Sequence, residues 1–471
     1  MEHQEEFREL TDKVLELLEA KNFREIKTLL NDLEPQDSAQ ILDEMPDKDM
    51  LVIFRLLSKE NAAETFVEMS NDSQELLLNA FSDAELKAVF DEMFLDDTVD
   101  IIEEMPANVV KRIIKQSDAE TRTLINEILH YPKDSAGTIM TVEYVSLRGQ
   151  MTVKECFDRI RKIAVDMETI STCYVTDDKR KLLGRVTVKD LLLHDYETHV
   201  SDFMETDPIS AETTDDKEFV AQQMSKYDLN TIPVVDKENR MVGIITVDDV
   251  LDVVEQEATE DISIMAAVTP STDTYMEQSV WQIWKNRIPW LLLLMVSATF
   301  TGLIINTFEK RLNLLSPLLF ACIPMLMDTG GNAGSQASVT IIRGLALDEI
   351  RPRDALKVLW KEIRVSVMLA ACLAVVCFAK LYLLDGLAFP IIFGNILEYD
   401  SYPWYICLAV SASLFATIVI AKIVGCLMPL LAKVCKLDPA VVASPFITTI
   451  VDALSLIIFC FVSILIVSPF V

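Results

Sequence analysis

Histidine is scarce in this chain of 471 residues: it occurs four times, and never beyond residue 280. The nine cysteines are scattered and include no Cys-x-x-Cys pair. A zinc or iron site built from imidazole and thiolate ligands is therefore not expected. We interpret the cysteines as small buried hydrophobic residues of a reducing compartment.

Other features are also absent. Residues 1–9 contain neither a basic segment nor an apolar run, so no secretory signal is predicted and a cytoplasmic N-terminus is expected. No Gly-rich phosphate loop or nucleophile–base set emerges, which argues against an enzyme. Basic residues number 42 against 73 acidic ones, and the net charge of −31 argues against nucleic acid as a partner, because its phosphates would be repelled.

The charge is divided unevenly along the chain. Residues 1–280 hold 62 acidic and 28 basic residues, whereas residues 281–471 hold 11 acidic and 14 basic residues. A single soluble domain would not normally be this acidic and also 51% hydrophobic. We therefore interpret the first part as an acidic cytoplasmic region, suited to a cationic partner, and the second as a membrane domain in contact with lipid.

Five apolar stretches of the second part are long enough to cross a bilayer. They cover residues 288–308, 314–342, 365–384, 404–431 and 444–467. Segments rich in Lys and Arg precede the first stretch and follow the second and fourth, and the positive-inside rule places these segments in the cytoplasm. The sequence predicts a multi-pass plasma-membrane protein with five crossings, a cytoplasmic N-terminus and an external C-terminus.

Asp452 lies in the middle of the last apolar stretch, where a carboxylate costs about 2.5–3.5 kcal/mol on insertion scales. Such a residue should face a cation or a water-filled path; the alternative is a packing residue bonded to Thr or Ser neighbours. Thr448 and Ser444 precede it by four and eight residues, on the same helical face. This row of oxygen atoms suits a hard, hydrated cation.

The second apolar stretch is small and polar in its latter half. Glycines in a membrane helix commonly serve close packing. The amide side chains, by contrast, would need partners in lipid, and an acid near the Pro324 break could be structural or lie at a pore mouth. The residues predicted to line or pack the pore are Asp328, Gly330, Gly331, Asn332, Gly334 and Gln336.

The acidic part contains two regions with different sequence patterns. Residues 1–130 show apolar positions at helical spacing and a weak repeat, with residues 42–46 echoed by 102–106, which predicts a superhelix of short helices. Residues 135–199 and 200–255 alternate short strands with helices and resemble a tandem CBS (cystathionine-β-synthase-like) pair. Each repeat has a Gly-start strand followed by Thr-x-x-Asp, at Thr187 and Thr246.

The CBS resemblance leaves two interpretations open. Such pairs often bind an adenine nucleotide, and an Asp at this position then contacts the ribose. The alternative is that the pair is only a dimerisation and ion-sensing module. The segment from 256 to 280 is predicted to be an acidic connecting helix. Two carboxylates about 6 Å apart repel by roughly 3 kcal/mol at an effective dielectric near 20, so clustered acids favour a divalent counterion.

The order of these parts resembles the MgtE family of bacterial magnesium channels over essentially the whole chain. The run Gly-Gly-Asn-x-Gly-x-Gln at 330–336 and the run Glu-Ala-Thr-Glu-Asp at 257–261 carry the resemblance. It implies a multidomain architecture: an all-α N-terminal domain, an α+β CBS pair, a connecting or plug helix, and an all-α membrane domain (281–471) with five transmembrane helices. It also implies a homodimer with its pore on the two-fold axis.

The resemblance further implies the ion sites. The central Mg²⁺ site would use Asp452 with Ser444 and Thr448, where the family often has Asn and Ala, so preference for Mg²⁺ over Co²⁺ or Ca²⁺ stays open. Regulatory Mg²⁺ would bind to acids that match the family's cytosolic sites. These are Asp96, Asp100, Asp216, Glu218, Asp228, Asp249 and Asp252, with Glu257, Glu260 and Asp261 in the plug helix.

The functional hypothesis is a Mg²⁺ channel that imports the ion down its electrochemical gradient and is closed by intracellular Mg²⁺. Two alternatives remain: a transporter for another divalent cation such as Co²⁺, and a membrane-anchored CBS regulator that senses adenine nucleotides. The regulator predicts no intramembrane acid, so Asp452 counts against it.

Overall fold

The computed structural model describes residues 2–271, 275–276, 278–347, 349–388, 402–442 and 444–470. Two compact units make up the chain, Met1–Glu257 and Ala258–Val471. The first contains an all-α region followed by a pair of small β-sheets with helices, and the second is helical.

Ten short helices form the N-terminal region. They are α1 (Glu2–Glu19), α2 (Phe23–Asn31), α3 (Pro35–Asp43), α4 (Asp47–Phe54), α5 (Lys59–Val67), α6 (Asn71–Ala80), α7 (Asp83–Phe90), α8 (Leu95–Glu104), α9 (Ala107–Gln116) and α10 (Ala119–Ile128). The predicted internal repeat is visible here, because Pro46 and Pro106 are the N-cap residues of α4 and α9. Helices α2 to α10 have only 8–10 residues each and are too short to be stable alone, and the apolar faces of the helices share one core.

The next region contains two sheets with the strand orders β1-β2-β3-β4 and β5-β6-β7. The elements are β1 (Tyr144–Leu147), α11 (Val153–Ile163), β2 (Thr169–Thr176), β3 (Leu182–Thr187), α12 (Val188–Leu193), β4 (Glu205–Thr206), β5 (Ala211–Glu212), α13 (Lys217–Tyr227), β6 (Thr231–Val235) and β7 (Met241–Thr246). In each sheet a parallel strand pair is followed by an antiparallel hairpin, β2–β3 in one and β6–β7 in the other.

Two glycines show how closely the repeats correspond. A Cβ added to Gly184 would lie 2.6 Å from the carbonyl oxygen of Glu205, and one added to Gly243 would lie 2.5 Å from that of Thr141. In both cases the next contact is a methionine, Met204 or Met140. Glycine is required at each position because two backbone segments approach closely there.

Helix α14 (Val247–Met265) differs from the prediction of a connecting helix over 256–280. It begins directly after β7 with Asp248 and Asp249 in its first turn, and it ends at Met265. The helix start after Thr246 follows from the capping interaction of Thr246 with Asp249, whose oxygen atoms are 2.5 Å apart.

The second unit contains five long helices: α15 (Val280–Leu315), α16 (Leu318–Ala346), α17 (Ala355–Ala379), α18 (Trp404–Val434) and α19 (Ser444–Val467). A π-helical segment, Lys380–Ala388, follows α17. Among the described residues, four segments are long and apolar enough to cross a membrane, and they contain α15, α17, α18 and α19. Helix α16 is not among them because its middle is small and polar, so a fifth crossing stays a prediction.

Helices α16 and α18 approach each other more closely than side chains allow. A Cβ on Gly425 of α18 would lie 2.2 Å from the carbonyl oxygen of Gly334 on α16. One on Gly330 would lie 2.7 Å from Thr417 Cγ2 and 2.8 Å from Ser455 Oγ of α19. Small residues therefore set the spacing of these helices, as the packing interpretation of the glycines expected.

We expect Gly425→Ala to destabilise the second unit by at least about 2 kcal/mol, because the backbones must separate to admit the methyl group. The measurement is the thermal unfolding midpoint of the full-length protein in detergent. Gly302→Ala in α15 is the matched control, since nothing lies within 4 Å of its Cβ position. Equal midpoints for the two variants would contradict the close approach.

Candidate functional site

The proposed ion site in the second unit lies at the beginning of α19. Ser444 is the first residue of this helix, and its side chain lies outside the described part of the structure. Thr448 follows one turn later, and its hydroxyl donates to the carbonyl oxygen of Pro445 at 2.9 Å. Asp452 comes one turn after that and is half-buried. Since the Thr448 proton is used internally, its oxygen lone pairs remain available to a cation or its water.

Gly331 on α16 brings the backbone of that helix next to these side chains. A Cβ at Gly331 would lie 3.1 Å from Thr448 Cγ2 and 3.7 Å from Asp452 Oδ1. The structure thus places Gly331 of α16 next to Thr448 and Asp452 of α19, and ion binding by these residues stays a prediction. Gly330 and Gly334 instead contact neighbouring helices and serve packing.

Helix α16 also presents a polar stripe. Asp328, Asn332 and Gln336 follow each other at intervals of four residues, and all three are exposed. Asp328 is close enough to Asp452 to repel it electrostatically. In the predicted fifth crossing, an acid and two amides on an open face would need water or another protein surface over that face.

A second group of acids lies in the first unit, where the C-terminal end of α5, helix α8, the segments before β1 and β2, and the first turns of α14 meet. We call it the carboxylate cluster. Its members interact through their charges and are Glu68, Asp96, Asp97, Glu143, Glu168, Asp248, Asp249 and Asp252. Within the described ranges no Lys or Arg forms an ion pair with any of them.

The raised pKa values of several cluster members show that it is unfavourable to hold these acids together in their ionised form. Burial, followed by repulsion from Asp249, raises the pKa of Asp97 to about 7, and burial with repulsion from Asp248 raises the pKa of Glu168 to about 7. Burial also raises the pKa of Asp249 to about 6, although Thr246 donates to its carboxylate. Asp96 is 7% exposed, and its pKa lies well above the ordinary value for the same reasons.

Sequence reasoning found part of this cluster. Asp96, Asp249 and Asp252 are brought together, whereas Glu68, Asp97, Glu143, Glu168 and Asp248 were missed. The paired acids at the starts of α8 and α14 were the available signal. In the described part of the chain no three His, Cys, Asp or Glu side chains are arranged to hold a metal ion directly. A hydrated ion is consistent with this spacing, because Mg²⁺ commonly keeps several waters.

The other predicted regulatory acids occupy different places. Asp100 is exposed on α8; Asp216 caps α13 by accepting from the Glu218 amide at 2.9 Å, and Asp228 ends that helix in a left-handed conformation with φ 52°. The ammonium of Lys217 lies 3.8 Å from Glu257 and 2.9 Å from Asp134. Glu260 is exposed and Asp261 half-buried on α14. Metal binding by these residues stays a prediction.

The Thr-x-x-Asp motif has the same geometry in both repeats but different surroundings. Thr187 donates to Asp190 at 2.6 Å, and Thr246 donates to Asp249 at 2.5 Å. Asp249 belongs to the carboxylate cluster, whereas Asp190 has Lys189 and His194 within electrostatic reach. Only the Asp190 motif lies in surroundings that a phosphate group would tolerate.

Comparison with known proteins agrees with this layout. Three family models match: a divalent cation transporter model (MgtE) at residues 323–462, the MgtE intracellular N domain at 33–134, and the CBS domain at 136–197 and 200–256. The magnesium transporter MgtE of Thermus thermophilus is 34% identical, with 94% of this chain and 95% of that protein covered. The Bacillus subtilis magnesium transporter MgtE is 31% identical, with 96% of each chain covered.

Solved structures match the first unit. The soluble part of a magnesium transporter is 29% identical with a TM-score of 0.51, and covers 54% of this chain and 99% of that one. The cytosolic domain of the Mg²⁺ channel MgtE in complex with ATP is 36% identical with a TM-score of 0.50, and covers 52% of this chain and 99% of that one.

The raised pKa values predict how stability depends on pH. The folded first unit keeps protons on Asp97 and Glu168 up to about pH 7, whereas the unfolded chain releases them near pH 4. Without divalent ions, its free energy of unfolding should therefore fall as the pH rises from about 5 to 8. Asp97→Asn should raise stability at pH 8 by about 2 kcal/mol and flatten this dependence.

The measurement is chemical unfolding of the first unit in a chelator between pH 5 and 8. Glu92→Gln is the control, because Glu92 is an exposed acid of the same region outside the cluster. A wild-type stability that rises over this pH range would show that the folded acids are not under mutual repulsion.

Proposed function

Because the chain belongs to the MgtE family of divalent cation transporters, we propose that it carries Mg²⁺ through the plasma membrane down its electrochemical gradient. Family membership confirms that it is a transporter and not an enzyme. The alternative of a regulator with helices that serve only as an anchor is set aside, since the transporter model covers residues 323–462. A membrane potential that is negative inside drives a cation inward by about 2.3 kcal/mol per charge per 100 mV.

The observation that carries the proposal is the site of Asp452, Thr448 and Gly331 on two adjoining helices. A carboxylate and a hydroxyl supply the oxygen ligands that a hard cation prefers, and Gly331 lets the backbone of α16 lie beside both side chains. Ion selectivity would come from retaining the water of Mg²⁺, which dehydrates reluctantly. Preference over Co²⁺ is part of the proposal.

We further propose a homodimer with five crossings per chain, a cytoplasmic N-terminus and an external C-terminus. The polar stripe of Asp328, Asn332 and Gln336 supports the dimer, because an exposed stripe in a membrane needs a polar cover. Two copies that face each other across a two-fold axis would enclose a water-filled path between their stripes.

Asp452→Asn should lower Mg²⁺ uptake at least about 100-fold, because the amide keeps the size of the side chain but removes the charge that holds the ion. The measurement is Mg²⁺ and Co²⁺ flux into proteoliposomes, with growth rescue of a bacterium that lacks Mg²⁺ uptake. Glu309→Gln on α15, an exposed acid, is the control. Full flux through the Asp452 variant would rule out this site.

The carboxylate cluster supports a regulatory function. Eight acids, none with a basic ion-pair partner in the described part of the chain, are held together in the compact first unit, and their repulsion opposes that compactness. We propose that intracellular Mg²⁺ bridges them, that the first unit then stays compact, and that this state closes the pore. When Mg²⁺ is scarce the acids separate and transport resumes, so the cargo limits its own entry.

Protease protection of residues 1–257 in the full-length protein should increase with millimolar Mg²⁺ at pH 8. In Asp97→Asn/Asp249→Asn, protection should be high even in a chelator, because the repulsion is reduced without any ion. Glu92→Gln should behave as the wild type. If protection is independent of Mg²⁺ in the wild type, the sensor proposal is wrong, whatever the result for transport.

The CBS pair favours a second ligand, an adenine nucleotide. One solved relative of the first unit is described in complex with ATP. In this chain the Asp190 motif offers a carboxylate for a ribose next to Lys189 and His194, while the Asp249 motif is surrounded by acids. We propose that nucleotide binds at the Asp190 motif and Mg²⁺ near the Asp249 motif.

A further inference from the structure

One face of helix α17 is exposed and consists of a basic part followed by an apolar part. Lys357, Lys361 and Arg364 are followed on the same side by Met368, Cys372 and Val375, at spacings that return to one helical face. The side chains of Lys357, Met368 and Val375 are 88%, 74% and 70% exposed, respectively. The opposite side of the helix is buried through Ser366, Ala370 and Cys377. We call the exposed row the α17 stripe.

The cations of the stripe have little to neutralise them within the chain. Lys357 is 3.9 Å from Asp354, and across the described residues neither Lys361 nor Arg364 forms an ion pair. The guanidinium of Arg364 lies 6.0 Å from the centre of the Trp360 ring, which is itself 61% exposed. A tryptophan beside cations at the end of an apolar helix is typical of the boundary between lipid and water.

The length of the stripe fits one leaflet. Eleven residues separate Arg364 from Val375, a rise of about 16 Å along the helix, and half of the hydrocarbon thickness is about 15 Å. With Arg364 at the headgroup level, Met368, Cys372 and Val375 lie at the depth of the acyl chains. The charges and the apolar side chains therefore match the two parts of one lipid molecule.

We propose that the α17 stripe is a binding site for an anionic phospholipid, with the lipid phosphate on Lys361 and Arg364 and an acyl chain along Met368, Cys372 and Val375. A second copy of the chain is a poorer occupant. A two-fold contact through this face would place the same patch against itself, and thus cations against cations. A zwitterionic lipid lacks the net negative charge that these unpaired cations attract.

The test uses the full-length protein, freed of native lipid in detergent and given an equimolar mixture of phosphatidylglycerol and phosphatidylcholine with identical chains. Native mass spectrometry counts the lipids retained. Lys361→Gln/Arg364→Gln should lower the preference for phosphatidylglycerol at least about fivefold, while Lys361→Arg/Arg364→Lys should keep it. Lys310→Gln/Arg311→Gln, an exposed basic pair on α15, is the matched control.

Two results would overturn the proposal. One is an unchanged preference in the neutral double variant, or an equal loss in the α15 control, which would mean diffuse attraction rather than a site. The other is a cross-linked dimer formed in membranes by a short thiol reagent and abolished by Cys372→Ser, since a second copy would then cover the stripe. Mg²⁺ flux is measured in parallel. If the protein does not transport Mg²⁺ but retains its preference for phosphatidylglycerol, the lipid proposal still holds.

Discussion

The rest of the structure depends on repulsion between carboxylates that form no ion pair with Lys or Arg within the described residues. In the first unit eight of them are gathered, and burial with mutual repulsion raises the pKa values of Asp97 and Glu168, whereas in the second unit Asp452 is the one charged residue of α19. Neutral residues at these positions would avoid the unfavourable free energy of burying carboxylates close to one another. Here Asp96 and Asp249 are instead placed at helix starts, where a backbone amide and a Thr hydroxyl hold them in position but leave their charge uncompensated.

The two CBS repeats show how one local structure can acquire two chemistries. The fold dictates the same cap at Asp190 and Asp249, because each of the strands β3 and β7, in which glycine is the third residue, turns directly into a helix. The difference comes from what other segments bring nearby: α8 and the segments before β1 and β2 supply acids around Asp249, and a lysine and a histidine lie near Asp190. The two motifs therefore differ in their surrounding residues and not in their own geometry.

Local sequence patterns predicted much of this architecture. The echo of residues 42–46 in 102–106 marked real helix boundaries, and the glycine and methionine positions of the repeats correspond in space. What could not be predicted was proximity between distant segments. Glu143 and Glu168 carry no motif, and they join the carboxylate cluster only because β1 and β2 are neighbours in a sheet. The connecting helix was misplaced because α14 continues from a CBS cap without any break in its pattern.

The contact between Gly334 and Gly425 has a mechanical consequence. Two helices whose backbones touch cannot slide past each other without first moving apart, so α16 and α18 must move as one body. Gly331, three residues from that contact, holds the backbone beside Asp452. Any change of width in the proposed pore would therefore occur at helix contacts other than α16–α18, because α18 holds the polar helix α16 in position.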